Sequence, residues 1–93
     1  MPNTRSAMKQ MRASERKRRR NKPIRSRAKT EVKKAHLFIV AGDLDAAQVQ
    51  AREAIQALDR AASKGVIHRN NAARRKSRLM KRLNQALAKA SGE

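Results

Sequence analysis

The 93-residue chain is long enough for one small domain and too short for two packed cores. Its 25 Lys and Arg against 7 Asp and Glu give a formal net charge of +18, while Phe38 is the single aromatic and cysteine is absent. These features exclude a disulfide framework, a Cys-based zinc site and a thiol nucleophile, and they leave only a thin core.

A composition rich in Ala, Arg, Lys and Gln favours helix over sheet, because these side chains lose little rotamer freedom in a helix. An all-α fold without strands is expected. The longest uninterrupted apolar run, Leu37 to Ala41, is far short of a membrane span or a signal-peptide core, so neither membrane insertion nor export is expected. The Arg-rich N-terminus shares composition with a mitochondrial presequence, but its charge density leaves almost no apolar face there.

Charge is segregated along the chain: net +12 over residues 1–34, −2 over 35–63 and +8 over 64–93. A single domain over residues 1–93 is expected, with helices over 5–41, 44–63 and 68–90. The basic arm from Arg5 to Arg27 comes first. Between Glu15 and Lys22 no side chain is apolar, and Arg16 to Arg20 form an unbroken basic run. Burying unpaired charge costs more than packing returns, so this run must project into water or onto phosphates. Like charges at helical spacing repel by a few tenths of a kcal/mol per pair, so the arm is expected to be disordered alone and helical on a polyanion. Pro23 lacks an N–H and clashes with the carbonyl four residues back, which predicts a kink or a fresh helix start near residue 23. Beyond it Ala28, Val32, Ala35 and Ile39, with Phe38 and Val40 nearby, form an apolar stripe.

Gly42 and Asp43 read as the stop of the first helix and the N-cap of the second. Over 44–63, Leu44, Ala47, Ala51, Ile55, Leu58 and Ala62 recur at spacings of three and four on one face, opposite Asp45, Gln48, Arg52, Glu53, Gln56, Asp59 and Arg60. Gly65 suits a left-handed cap, with Val66 or Ile67 folding back on the last turn. The third segment carries Ala72, Lys76, Leu79, Leu83, Ala86 and Ala90 on one stripe, with Met80 and Leu87 beside it. The three stripes together predict a three-helix bundle with a long, basic, extended N-terminal helix.

No catalytic signature is present. His36 and His68 lack partners at metal-ligand spacing, the carboxylates read as a solvated helix face, and the glycines are isolated punctuation rather than a phosphate loop. A non-enzymatic binding protein with no metal, cofactor or small-molecule substrate is expected. With one aromatic, base stacking can rest only on Arg planes, so shape and phosphate recognition of folded RNA, or nonspecific coating of DNA as in a nucleoid protein, fits the surface better than base readout. Regulatory inhibition of an acidic enzyme is a third reading, resting on the basic surface alone.

Two stretches go beyond composition. Asn3, Ser6, Ala7, Lys9, Arg12, Ser14, Glu15, Arg18 and Asn21, followed by Ser26, Lys33, Lys34 and Ala35, resemble the N-terminal helix of the S20 family of bacterial small-subunit ribosomal proteins. The run from Ala61 to Asn70, continuing through Ala72, Ala73, Arg74, Lys76, Ser77, Arg78, Leu79, Lys81, Leu83 and Asn84, resembles the family's K-G-x-I-H-x-N-x-A-A-R-x-K-S-R-L pattern. The resemblance covers nearly the whole chain. It implies a three-helix bundle that binds small-subunit ribosomal RNA directly early in assembly, beside neighbouring ribosomal components in the cytoplasm. It also implies RNA contacts at Ser6, Lys9, Arg12, Arg16, Arg19, Arg20, Arg27, Lys33 and Lys34, and at Lys64, His68, Asn70, Arg74, Lys76, Ser77, Arg78 and Lys81. His68 has an alternative role, capping the third helix or bonding the turn at Gly65. Two positions depart from the family pattern, Pro23 within the long helix and the weight of the basic run from Arg16 to Arg20.

Overall fold

The computed structural model describes residues 4–92 as three α-helices in an up-down-up bundle: α1 (Arg5–Ala41), α2 (Leu44–Ser63) and α3 (Arg69–Ala90). Asn3, part of the family-like N-terminal stretch, lies outside the described residues. The molecule measures 66 × 21 × 19 Å with a radius of gyration of 18.1 Å, against roughly 12 Å for a compact domain of this length. The excess is α1. Its 37 residues extend about 55 Å at 1.5 Å per residue, and only the part from Ile24 onward meets the other helices.

Capping sets the helix ends. Thr4 Oγ1 accepts the Ala7 N–H at 3.1 Å at the start of α1, and Asp43 Oδ1 accepts the Ala46 N–H at the start of α2. Gly42, at φ +80°, closes α1: its N–H donates to the Ile39 carbonyl and that of Asp43 to the Phe38 carbonyl. The same motif follows α2, where Gly65 takes φ +73° and the Val66 N–H donates to the Ala61 carbonyl at 2.9 Å, folding the Val66 side chain into the core.

Neither a fresh start nor a break forms at Pro23, because α1 runs unbroken through it. The proline deprives the Arg19 carbonyl of its helical donor, but Arg19 and Pro23 both lie on the exposed stretch of the helix. Directly downstream, Ile24 and Ala28 anchor the helix in the core. The third helix begins at Arg69, with His68 as its N-cap rather than its first residue.

The core has two lobes. One gathers Ala35, Ala47, Ala51, Ala54, Leu79 and Leu83 near the Gly42 turn, and the other gathers Ala28, Leu58, Ala61, Val66 and Ala72 near the Gly65 turn; Val32 packs against both. Seven of the eleven buried hydrophobic residues are alanine. The helices therefore approach closely and bury little area per residue, so stabilisation concentrates in Leu58, Leu79, Leu83 and Val66, at about 1.5–3 kcal/mol each.

The buried face of α2 is turned relative to the expected stripe. Ala47, Ala51 and Leu58 are buried as expected, but Gln50, Ala54 and Ala61 join them while Leu44, Ile55 and Ala62 are only half-buried. The reason is tertiary: α2 serves two neighbours, and Gln50 Nε2 donates to the backbone carbonyl and the carboxylate of Glu31 on α1. Val40, expected near the α1 stripe, is 84% exposed, and Ala90 is exposed at the end of α3. Among the described residues, no helix is long and apolar enough to cross a membrane.

Candidate nucleic-acid interface

From Thr4 to Lys22 no residue of α1 is buried, and only Ala7 and Asn21 are partly covered. This overhang of about 27 Å carries nine basic side chains and one acid, Glu15. Its one ion pair joins Arg19 to Glu15 at 2.9 Å between side chains 77% and 60% exposed, which holds Arg19 by no more than a few tenths of a kcal/mol. Ser6, Lys9, Arg12, Arg16, Arg19 and Arg20 all stand in solvent here.

Helical spacing sorts the arm into stripes. Arg5, Lys9, Arg12 and Arg16 line one shallow groove with Met8. A second groove is lined by Lys17, Arg18, Lys22, Arg25 and Lys29 with Ser14, Asn21 and Ser26, and it was absent from the expected contacts. The signal for it lay in the sequence: Arg18, Lys22, Arg25 and Lys29 follow spacings of four, three and four. Arg25 has an additional role, since its guanidinium donates to the Val66 carbonyl at 3.3 Å and ties the α2–α3 turn to α1.

On the bundle, Arg27 and Lys64 come together across α1 and α2, joined by Arg60 and Glu53 in a groove floored by Pro23, Ile24 and Ala57. Lys33 and Lys34 are exposed on α1, away from its buried stripe. Asn70, Arg74, Ser77, Arg78 and Lys81 are exposed along α3. Their mixture of forked guanidinium, point charge and short polar donors suits phosphate oxygens and ribose hydroxyls.

Two more expected contacts, besides Arg19, have protein partners. The Lys76 ammonium lies 2.7 Å from the Asp59 carboxylate, pinning α3 to α2. His68 caps α3, its Nδ1 accepting the Asn70 N–H at 3.1 Å. The ring that accepts at Nδ1 carries its proton at Nε2, leaving that N–H as a donor on an exposed side chain.

A residue outside the expected set stands across from α3. His36 of α1 lines a crevice with Arg78, Lys81, Arg82 and Gln85. Its Nδ1 is buried without a hydrogen-bond partner, and its pKa lies below the usual 6.5, first because burial disfavours the charged ring and second because the Arg82 guanidinium repels it. Sequence spacing could not pair His36 with α3, since the two are brought together only by the fold. Among the described residues no three His, Cys, Asp or Glu side chains gather as a metal site would require.

Residues 2–84 match the family described as ribosomal protein S20. The small ribosomal subunit protein bS20 of Thermomicrobium roseum is 61% identical over 90 residues, covering 97% of this chain and 90% of the relative. That of Roseiflexus sp. is 57% identical, covering 95% and 96%. That of Dehalococcoides mccartyi is 49% identical, covering 92% and 98%.

Proposed function

The chain belongs to the ribosomal protein S20 family, and from that membership we propose that it is a structural, non-catalytic constituent of the bacterial small ribosomal subunit, bound directly to small-subunit ribosomal RNA in the cytoplasm. It recognises phosphates and RNA shape, and stabilises the RNA fold during assembly beside neighbouring ribosomal components.

The observation that carries the direct RNA contact is the distribution of cations. Two strongly basic flanks, net +12 and +8, surround a segment of −2, and the described residues hold only two ion pairs. Flanks of this kind repel one another in the free chain and are stabilised against a dense phosphate array. The forked Arg groups along the overhang and α3 supply phosphate contacts, while Ser6, Asn70 and Ser77 offer neutral hydrogen bonds to phosphate or ribose.

The test is a crosslinking map of the chain on intact small subunits after high-salt washing. Crosslinks from Lys9, Arg12, Arg16 and Arg74 to RNA are expected, and a chain found only in the free pool overturns the reading. If about ten phosphates are neutralised, log affinity falls with log salt at a slope of about −7 to −9. Competition between folded ribosomal RNA and duplex DNA decides against a nucleoid role if the RNA wins.

A further inference from the structure

We propose that the crevice between α1 and α3, walled by His36, Arg78, Lys81, Arg82 and Gln85, is a phosphate-binding site through which RNA contact locks α3 onto α1. The coupling to RNA rests on the function proposed above; the crevice itself does not.

Four observations support it. Arg78, Lys81, Arg82 and Gln85 occupy successive turns of α3 at spacings of three, one and three, so their side chains converge on one side of the helix opposite His36. No carboxylate lines the crevice, and none of its three cations is ion-paired among the described residues. By contrast, the groove between α1 and α2 contains Glu53, which opposes a phosphate, and the arm grooves are built from one helix alone. Finally, the His36 Nδ1 is buried and has no hydrogen-bond partner.

The chemistry follows from the donors. The site takes the neutral His36 ring in the tautomer protonated at Nε2, a donor beside two guanidinium forks, an ammonium and an amide. A tetrahedral oxyanion fits this set. The crevice also overlies the packing of α3 on α1, because Ala35, the neighbour of His36, shares a core lobe with Leu79 and Leu83. An anion held by the three cations of α3 and by the His36 ring of α1 therefore bridges the two helices, and it also relieves the repulsion among Arg78, Lys81 and Arg82 along α3.

The experiment uses the full chain in two arms, inorganic phosphate and a small-subunit ribosomal RNA, with chloride at matched ionic strength as the control. The wild type is compared with R78Q/R82Q and with R12Q/R16Q, which removes the same charge from the arm. Phosphate is expected to move the His36 ring resonances saturably and raise the thermal midpoint in the wild type and in R12Q/R16Q, and to do neither in R78Q/R82Q. The RNA is expected to move the same resonances in the wild type and not in R78Q/R82Q. Equal responses to phosphate in all three proteins, or none beyond chloride, overturn the site. A response to phosphate without one to bound RNA overturns the coupling. Failure of the wild type to bind the RNA at all sinks the proposed function, while the phosphate arm still decides the crevice.

Discussion

Gln50, among the described residues the one buried polar side chain, reaches from α2 to α1 and donates to both the backbone carbonyl and the carboxylate of Glu31. This is a directional bond between two helix faces that are otherwise built largely from alanine. Gln50→Ala is expected to lower stability by about 1–3 kcal/mol, since a hydrogen bond to a charged group is lost and a small void is left. Urea unfolding measures it. A Gln50→Ala chain as stable as the wild type shows that the alanine faces alone hold the register.

Leu58 is 0% exposed and anchors the lobe near Gly65. Leu58→Ala is expected to cost roughly 2–5 kcal/mol, a large share of the total stability of a core built mostly from alanine. Leu58→Asp buries an unpaired charge and is expected to unfold the free chain. Thermal unfolding followed by circular dichroism checks both; unchanged midpoints contradict the core assignment.

The α1 overhang is held by its own backbone hydrogen bonds, with no core beneath it. In dilute buffer its like charges oppose that helix, so the free chain is expected to be helical mainly over 24–90 and to gain helix when small-subunit ribosomal RNA is added. Absence of a gain in the circular dichroism signal contradicts this. Pro23→Ala is expected to raise the helix content of the free chain, because an interior proline costs about 3 kcal/mol relative to alanine.

His36 gives the fold a pH dependence whose sign is set by its depressed pKa. Between its folded value and the ordinary 6.5, the unfolded chain holds more protons than the folded one, so stability rises with pH through that window. Acidification from above pH 6.5 is therefore expected to destabilise the fold, with Arg78, Lys81 and Arg82 facing the ring from α3. His36→Asn is expected to flatten this limb. Urea midpoints measured from pH 7.5 down to 5 decide it, and an unchanged slope in the variant assigns the effect elsewhere.

Much of the architecture was legible in residue order. The stops at Gly42 and Gly65 are local backbone requirements, the stripes of Ala and Leu are local periodicity, and the concentration of Lys and Arg at both ends is composition; each acts within a few residues. The arm grooves on α1 are equally local, since Arg18, Lys22, Arg25 and Lys29 follow helical spacing within one element.

Tertiary structure decided what depends on a neighbour distant in sequence. Pro23 stays within α1 on an exposed stretch of the helix whose next turns, at Ile24 and Ala28, are anchored in the core, which no local propensity expresses. Gln50 replaced Ile55 in the buried face because Glu31 lies across from it. Lys76 gained Asp59, Arg25 gained the Val66 carbonyl, and His36 met the cations of α3. Helix periodicity and capping arise from interactions two to five residues apart, whereas each of these pairings spans 17 residues or more and exists only once the helices have packed.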